Sequence, residues 1–386
     1  MAITSSEMDF GFVREISKLG GASLRKCFQC GSCTAICPLS KEGEEFPRKI
    51  IRYATIGLKD KVLSSPELWS CYYCGECTKT CPRSADPGAF MMAARRYAIQ
   101  KYGWGKISNA MYSSGTAFYG ALAVLSLFLA SVILLFHGQM SASSVNLFSF
   151  IPMDVVDRTG LIMGAFVGAS ALANLIIMKR YLSKHTNASS GPISIKSTFS
   201  KLAALGKVIV DEVAVQKRFH TCTDRNRYWA HILSVWGFGG LLIATTLDYM
   251  IDAYGMALSV YVPRGLGIVS GLALVYGSAY FVYKRIEGKE EYATYTHFTD
   301  WTFLILLLVI GVTGFLLDVF LLADIPILAY ATYALHLIVV FDLLITAPFT
   351  KFAHAMYRPL ALWVLELNMA AAKSSMSQEA VAIAAV

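Results

Sequence analysis

Six long apolar stretches punctuate the chain, at about 116–136, 159–178, 230–250, 265–283, 299–321 and 327–348. Each is long enough, or nearly so, to cross ~30 Å of hydrocarbon as a helix. A spanning helix satisfies its own backbone, which an irregular segment in lipid would not. Ahead of them the pattern is that of a soluble chain. F-P-R-K-I-I-R-Y-A-T-I-G-L-K-D-K-V-L places Ile50, Ile51, Ala54 and Leu58 at near-helical intervals, with Pro47 near the start and Gly57 near the end. P-G-A-F-M-M-A-A-R-R-Y-A-I-Q-K-Y reads as a second helix with an Ala/Met face. Between the second and third spans, S-K-H-T-N-A-S-S-G-P is a flexible signature. The following S-K-L-A-A-L-G-K-V-I-V-D-E-V-A-V-Q-K-R-F has the pattern of an amphipathic helix, either a packing helix or a docking surface for partner subunits.

Composition agrees with two solvents. Over 386 residues, 55% are hydrophobic and only 16% charged, and mean hydropathy is +0.52, too apolar for an ordinary soluble enzyme. The net charge of +8 does not point to nucleic acid, because no basic stripe interleaved with aromatics occurs in the soluble part. Basic residues gather instead between spans, from Lys179 to Arg227 and at Lys284, Arg285 and Lys289, while the other connections carry Asp154, Asp157, Asp252, Asp318 and Asp324. The positive-inside rule then puts both termini and the soluble head in the cytoplasm of a multi-pass inner-membrane protein, with lipid as a partner. Arg95, Arg96, Lys101 and Lys106 end the head and are expected to meet lipid headgroups. Residues 1–20 lack the apolar core of a signal segment.

The chemistry is announced by cysteines. C-F-Q-C-G-S-C-T-A-I-C-P holds Cys27, Cys30, Cys33 and Cys37, and C-Y-Y-C-G-E-C-T-K-T-C-P holds Cys71, Cys74, Cys77 and Cys81. This is the two-cluster ferredoxin run, in which three cysteines hold one [4Fe–4S] cube and the fourth reaches across to the other. The expected sets are Cys27, Cys30, Cys33 with Cys81, and Cys71, Cys74, Cys77 with Cys37. Gly31 and Gly75 leave room for close approach, and Pro38 and Pro82 restrict the chain after the last ligand. Zinc sites use cysteine pairs but not ordinarily two identical runs ending in proline, and a disulfide framework wants an oxidising compartment. Cys222 has no partner in this scheme.

All seven histidines lie outside the cysteine head. Histidine in hydrocarbon is costly and usually functional, and haem iron is an economical partner for it beside iron–sulfur clusters. His231, at the start of the third span, and His354 are the preferred pair for one b-type haem. His336 is expected to ligate a second, five-coordinate or with a partner the pattern does not reveal, or to serve quinone. His336 and His354 are 18 residues apart, five helical turns, which on one helix separates two haems by ~27 Å. One or two haems are thus expected, two being favoured. No dinucleotide or phosphate-binding glycine motif occurs. A membrane quinone is the expected substrate, with Asp248, Tyr249 and Arg264 on the outer side and Tyr228, Asp300 and Lys351 on the inner as candidate groups.

The whole length resembles known proteins. With its doubled C-x-x-C-x-x-C-x-x-x-C-P run, the head resembles the C subunit of heterodisulfide reductases. The tail resembles their membrane cytochrome b subunit and, more distantly, the gamma subunit of respiratory nitrate reductase. There, an L-H-L … F-x-x-x-x-H arrangement matches His336 and His354, and an inner ligand matches His231, whereas Leu241 stands where a deeper histidine is found. T-H-F-T-D-W from Thr296 is similar to heterodisulfide reductase and sulfite-reduction membrane subunits, which makes His297 a candidate ligand. The fusion is similar to the C subunit of the quinone-interacting membrane-bound oxidoreductases of sulfate-reducing bacteria. That resemblance implies two cytoplasmic flavin/iron–sulfur partners, the A and B subunits of the same complex. It also implies electron transfer between menaquinone and those subunits, toward adenylylsulfate reductase. A cytochrome b/iron–sulfur subunit of a heterodisulfide-reductase-like enzyme, and a membrane anchor with structural clusters, are the alternatives.

The expected architecture is therefore α-helical: a small all-α two-[4Fe–4S] ferredoxin-like domain (1–106) fused to a six-helix transmembrane cytochrome b bundle. In the bundle the first two spans occupy 107–183, a cytoplasmic linker 184–227, a four-helix haem core 228–358 and a cytoplasmic tail 359–386.

Overall fold

A computed structural model describes residues 8–40, 45–183, 195–222 and 224–384. The side chains of 195–198, of Cys222 and of 372–384 lie outside the described set, as does most of the S-K-H-T-N-A-S-S-G-P segment. The fold is all-α, with no strand among the described residues. The helices divide between two compact units, one drawn from residues 1–105, 173–224 and 353–386, the other from 106–172 and 225–352.

The first unit is built from short helices: α1 (Phe12–Ile16), α2 (Ser32–Ala35), α3 (Arg48–Thr55), α4 (Lys59–Leu63) and α5 (Glu76–Lys79). They surround α6 (Pro87–Tyr102). Helix α6 is buried nearly all round rather than on one Ala/Met face, Phe90, Ala93, Ala94, Tyr97 and Ala98 being at most 1% exposed. Its alanines let neighbours approach closely, and its start is fixed by Pro87 at the first position and by Asp86, whose carboxylate accepts the Ala89 N–H at 3.0 Å. Of Arg95 and Arg96, expected at lipid headgroups, the first is half-buried and the second is an interior side chain. Arg96 is 3% exposed and donates to the Leu19 carbonyl at 2.7 Å. Helix α3 buries Ile50, Ile51 and Ala54 as its spacing predicts. Gly57 ends that segment at φ +80, where a Cβ would stand 2.5 Å from the Asp9 carbonyl oxygen.

The second unit contains α7 (Ile107–Ser113), α8 (Gly115–Phe136), α9 (Leu147–Phe150) and the first part of α10 (Met153–Ser183). Between α10 and the rest of that unit the chain returns to the first with α11 (Ile195–Val208) and α12 (Lys217–Cys222). The second unit then continues with α13 (Arg225–Tyr254), α14 (Tyr261–Glu287), α15 (Phe298–Leu322) and α16 (Pro326–Thr346). Among the described residues six helices, α8, α10 and α13 to α16, are long and apolar enough to cross a membrane. They coincide with the six apolar stretches and extend into their polar flanks. Helices α13 to α16 share a core of Leu274, Leu307, Ile310, Val339 and Leu343, flanked by Phe238, Leu241 and Phe352. Where α13 crosses α14, a Cβ on Gly237 would lie 2.6 Å from the Leu274 nitrogen. Such backbone contact is how helices pack tightly in lipid, where burial itself drives nothing.

The chain differs from expectation after α16. A single helix carrying both His336 and His354 does not form: α16 stops at Thr346, Thr350 is extended (φ −120, ψ −160), and a new helix, α17 (His354–Ala384), begins at the histidine itself. Pro348 has no N–H to give and its ring crowds the carbonyl four residues back, so the five-turn spacing has no helix to act on. Helix α17 is also not a tail. It belongs to the first unit, where Leu362 and Leu365 pack on Val208 of α11 and the Trp363 indole donates to the Lys201 carbonyl at 2.9 Å. The amphipathic linker helix is thus a packing partner of α17.

Candidate functional site

The two cysteine runs fold as copies of one another, 44 residues apart. Gln29 and Tyr73 stand at φ 65 and 53, and Gly31 and Gly75 both at φ +90. Each glycine opens a single helical turn, α2 or α5. Alternation of left- and right-handed residues turns successive backbone N–H groups to one side, a nest that receives anions and many iron–sulfur sites. Cys27, Cys30, Cys33 and Cys81 line one pocket. Cys37, Cys71, Cys74 and Cys77 line another. The fourth thiol of each run therefore faces the other run's pocket. Among the described residues no three His, Cys, Asp or Glu groups converge on a single-ion site, the arrangement a lone zinc needs.

The thiols themselves fit a multi-iron group. Burial, with repulsion from Cys71, Cys74 and Cys37 behind it, raises the Cys77 thiol well above its usual range. Burial likewise pushes Cys37 up to about 11. Thiolates crowded this way are relieved by bonding to cations. The Tyr73 N–H donates to Cys71 Sγ and the Ala85 N–H to Cys81 Sγ, both at 3.3 Å, which orients two sulfurs. Cys30 is exposed and Cys71 buried, so the two pockets differ in their contact with solvent.

Sequence reading missed the positive charge behind the second pocket. Arg95 donates from Nε to the Leu68 carbonyl at 2.9 Å and from Nη2 to the Cys71 carbonyl at 2.5 Å. Burial brings its pKa down to about 10, against the pull of Cys71. From α17, Arg358 donates to the same Cys71 carbonyl at 3.4 Å and to the Ser70 carbonyl at 3.3 Å. Its guanidinium lies 3.7 Å over the Tyr72 ring. Tyr72 in turn stacks on Phe219 and donates to Glu212 at 3.1 Å. No local motif marks Arg358, which is 287 residues from Cys71.

The second unit carries His231, His297 and His336 on three different helices or their starts. His336 Nδ1 is 2.8 Å from Thr313 Oγ1 on α15. With the Thr313 hydroxyl turned to the Val309 carbonyl at 2.7 Å, the imidazole donates from Nδ1 and the Nε2 lone pair is left for a metal. Gly314 stands beside the ring, its missing Cβ 3.5 Å from His336 Cε1. His231, half-buried on α13, meets Phe281 edge-on at 6.2 Å. His354 is half-buried at the start of α17, in the other unit. His297 Nδ1 receives the Thr299 N–H and caps α15, while the ring stacks on Tyr112 at 5.4 Å.

Of the quinone candidates, buried Asp300 is brought to Lys351 at 3.4 Å. Arg264 instead pairs with Asp318 at 3.4 Å, and Asp248 is exposed on its own helix. Tyr228 is buried near the start of α13, and Tyr249 packs edge-on against Tyr254 at 5.9 Å.

Six membrane-length helices and a doubled cysteine head define a multi-pass membrane protein with an iron–sulfur domain. The head, residues 23–85, matches the 4Fe-4S dicluster domain model. Residues 113–375 match citrate utilization protein B, and the chain belongs to that family. The head is similar to the C subunit of the H(2):CoB-CoM heterodisulfide,ferredoxin reductase of Methanothermobacter thermautotrophicus, 45% identical over 67 residues, 17% of this chain and 36% of the relative. A protein of Archaeoglobus profundus that is itself like the C subunit of heterodisulfide reductase is 36% identical over 121 residues, 30% of this chain and 64% of its own. The iron-sulfur C subunit of the CoB--CoM heterodisulfide reductase of Methanopyrus kandleri is 34% identical over 75 residues, 17% and 39% of the two chains. The chain thus spans about a third to two thirds of the length of these relatives, and they carry the head's resemblance to the C subunit.

Proposed function

We propose that the chain is the membrane subunit of an oxidoreductase complex that passes electrons between menaquinol/menaquinone and cytoplasmic flavin/iron–sulfur subunits. In this reading the complex is of the quinone-interacting kind that serves adenylylsulfate reductase in sulfate reduction. The observation that carries it is the union, in one chain, of two four-cysteine pockets with six membrane-length helices. One-electron carriers tied to a bilayer call for a lipid-soluble donor or acceptor on one side and a soluble redox subunit on the other.

Cys27, Cys30, Cys33 and Cys81 hold one [4Fe–4S] cluster, and Cys37, Cys71, Cys74 and Cys77 the other. When bound, these clusters and b-type haem supply one-electron transfer. The chain's own residues orient and insulate: the Gly31 and Gly75 nests present N–H groups, and Arg95 and Arg358 fix the Cys71 backbone. The Thr313 hydroxyl, 2.8 Å from Nδ1, would orient the His336 imidazole so that Nε2 could hold a haem iron. The Lys and Arg residues between the second and third spans and after the fourth support a cytoplasmic head.

Anaerobic optical spectroscopy of the purified complex tests this, with protohaem counted per chain and a menaquinol analogue added before dithionite. Reduction of haem and clusters by the quinol is the expected outcome. Haem absent from an intact preparation refutes the cytochrome reading. A heterodisulfide-reductase-like role is favoured by the names of the head's relatives, and reduction of the centres by a dithiol but not by quinol would select it.

A further inference from the structure

Asp342 is an acid inside an apolar span and has no role in the scheme above. It sits on α16, 3% exposed. Its Oδ2 is 2.6 Å from the Ser126 hydroxyl, midway along α8, while Oδ1 has no hydrogen-bond partner among the described residues. The same Ser126 hydroxyl lies 3.0 Å from the Leu122 carbonyl oxygen. A hydroxyl carries one proton. Given to Leu122, it leaves Ser126 as an acceptor and requires Asp342 to be the protonated donor; turned to Oδ2, it stabilises the carboxylate. The pair thus serves both protonation states.

The charges around it are otherwise spoken for. Helix α8 has no acidic or basic side chain, and α16 has only His336 besides Asp342. On α15, Asp300 faces Lys351 and Asp318 faces Arg264. A buried acid without a counter-charge in a membrane span is costly and by default marks a functional site, proton relays among them. Val124, Leu127 and Phe128, on α8 beside Ser126, are 67, 70 and 61% exposed, so an apolar ligand can reach α8 from the hydrocarbon.

We propose that Asp342, with Ser126, is the proton-exchanging group of a hydroquinone site at the seam of α8 and α16. This rests on the hydroquinone reading above. The hydroquinone is oxidised to quinone: its two O–H bonds break, two electrons leave one at a time to the chain's iron centres, and the protons pass in turn to Oδ1 and on to water. Ser126 steadies the carboxylate between transfers. In the reverse direction the same acid supplies the protons.

The test uses the full chain in lipid nanodiscs with reduced menadione as the probe, following cluster reduction by electron paramagnetic resonance. Asp342→Asn is expected to slow menadiol-driven reduction by about 10²-fold or more, the usual worth of a positioned acid or base. Dithionite reduction and iron content should stay at native values. Infrared difference spectra of the native chain should show a carboxylic C=O band that changes with menadiol and shifts in D2O, and that Asp342→Asn lacks. Asp342→Glu, which keeps the acid if the amide fails to fold, should retain the band and part of the rate. A native-like rate in Asp342→Asn, with the band intact, overturns the proposal and leaves Asp342 as a bond between helices. Menadiol that fails to reduce the native chain at all sinks the hydroquinone reading itself, and this site with it.

Discussion

Replacing Arg358 by glutamine should lower the reduction potential of one cluster and spare the other. The guanidinium is held at the Cys71 carbonyl by a 3.4 Å bond and over Tyr72 at 3.7 Å. A reduced cluster carries one more negative charge, so a nearby cation stabilises the reduced form and its removal shifts the potential down. At a separation of about 8 Å and an effective dielectric constant of about 20, two unit charges interact by about 2 kcal/mol. Partial exposure of Arg358 halves this to about 1 kcal/mol. With about 59 mV per tenfold change for one electron, the expected shift is about 40 mV. Redox titration monitored by electron paramagnetic resonance resolves the two clusters, and Arg358→Lys, which keeps the charge, should recover most of the potential. The cluster on Cys27, Cys30, Cys33 and Cys81 should move by less than about 20 mV, because screening weakens a more distant charge. Equal movement of both clusters, or an upward shift, would refute the reasoning.

Gly57→Ala should destabilise the head by about 1–3 kcal/mol, since it combines a left-handed backbone with a collision against the Asp9 carbonyl; thermal loss of cluster absorbance reads it. The Lys59 ammonium, 2.9 Å away, and the Gly11 N–H hold the Asp9 carboxyl below its ordinary 3.8. Its folded pKa being the lower one, Asp9 contributes fully above the unfolded value, and the contribution fades as pH falls through the folded one. Acid unfolding of Asp9→Asn should therefore converge with the native protein at low pH and fall behind it near neutrality. If His336 holds a haem as we propose, Thr313→Val removes the partner of its Nδ1 and should weaken the ligand's donor strength, raising that haem's potential; an optical redox titration unchanged from the native protein would count against that ligand. Cys77→Ser should cost one cluster of the two, cutting iron per chain by about half, and so should Cys30→Ser, each with a different signal lost.

The spans were legible because hydrocarbon imposes a length and a composition that nothing else in the chain imitates. The cysteine loops were legible for a similar reason: Gly31 and Gly75 hold the same φ because the same group must fit both copies. What was not legible depended on distant parts of the chain. Pro348 was visible, yet spacing arithmetic carried a helix through it to His354. Arg95 and Arg96 read as a headgroup-facing cluster because sequence position does not reveal burial, and α6 is enclosed by neighbours contributed from elsewhere. Thr313 and His336 are 23 residues apart and Ser126 and Asp342 are 216 apart; no periodicity links such pairs. His297 was singled out by resemblance, and its place at the start of α15, accepting from the Thr299 N–H, was not foreseen.

The head unit is assembled from three separated stretches, residues 1–105, 173–224 and 353–386, and its last stretch carries Arg358. During synthesis the cysteine loops leave the ribosome first, but α17 emerges only after all six apolar helices have been made. Iron delivered early would enter a half-finished pocket, with Cys71 lacking one of its two arginine partners. Completion of the head is thus timed by translation of the membrane helices, and a chain truncated before residue 353 should load the Cys37, Cys71, Cys74 and Cys77 pocket poorly while filling the other.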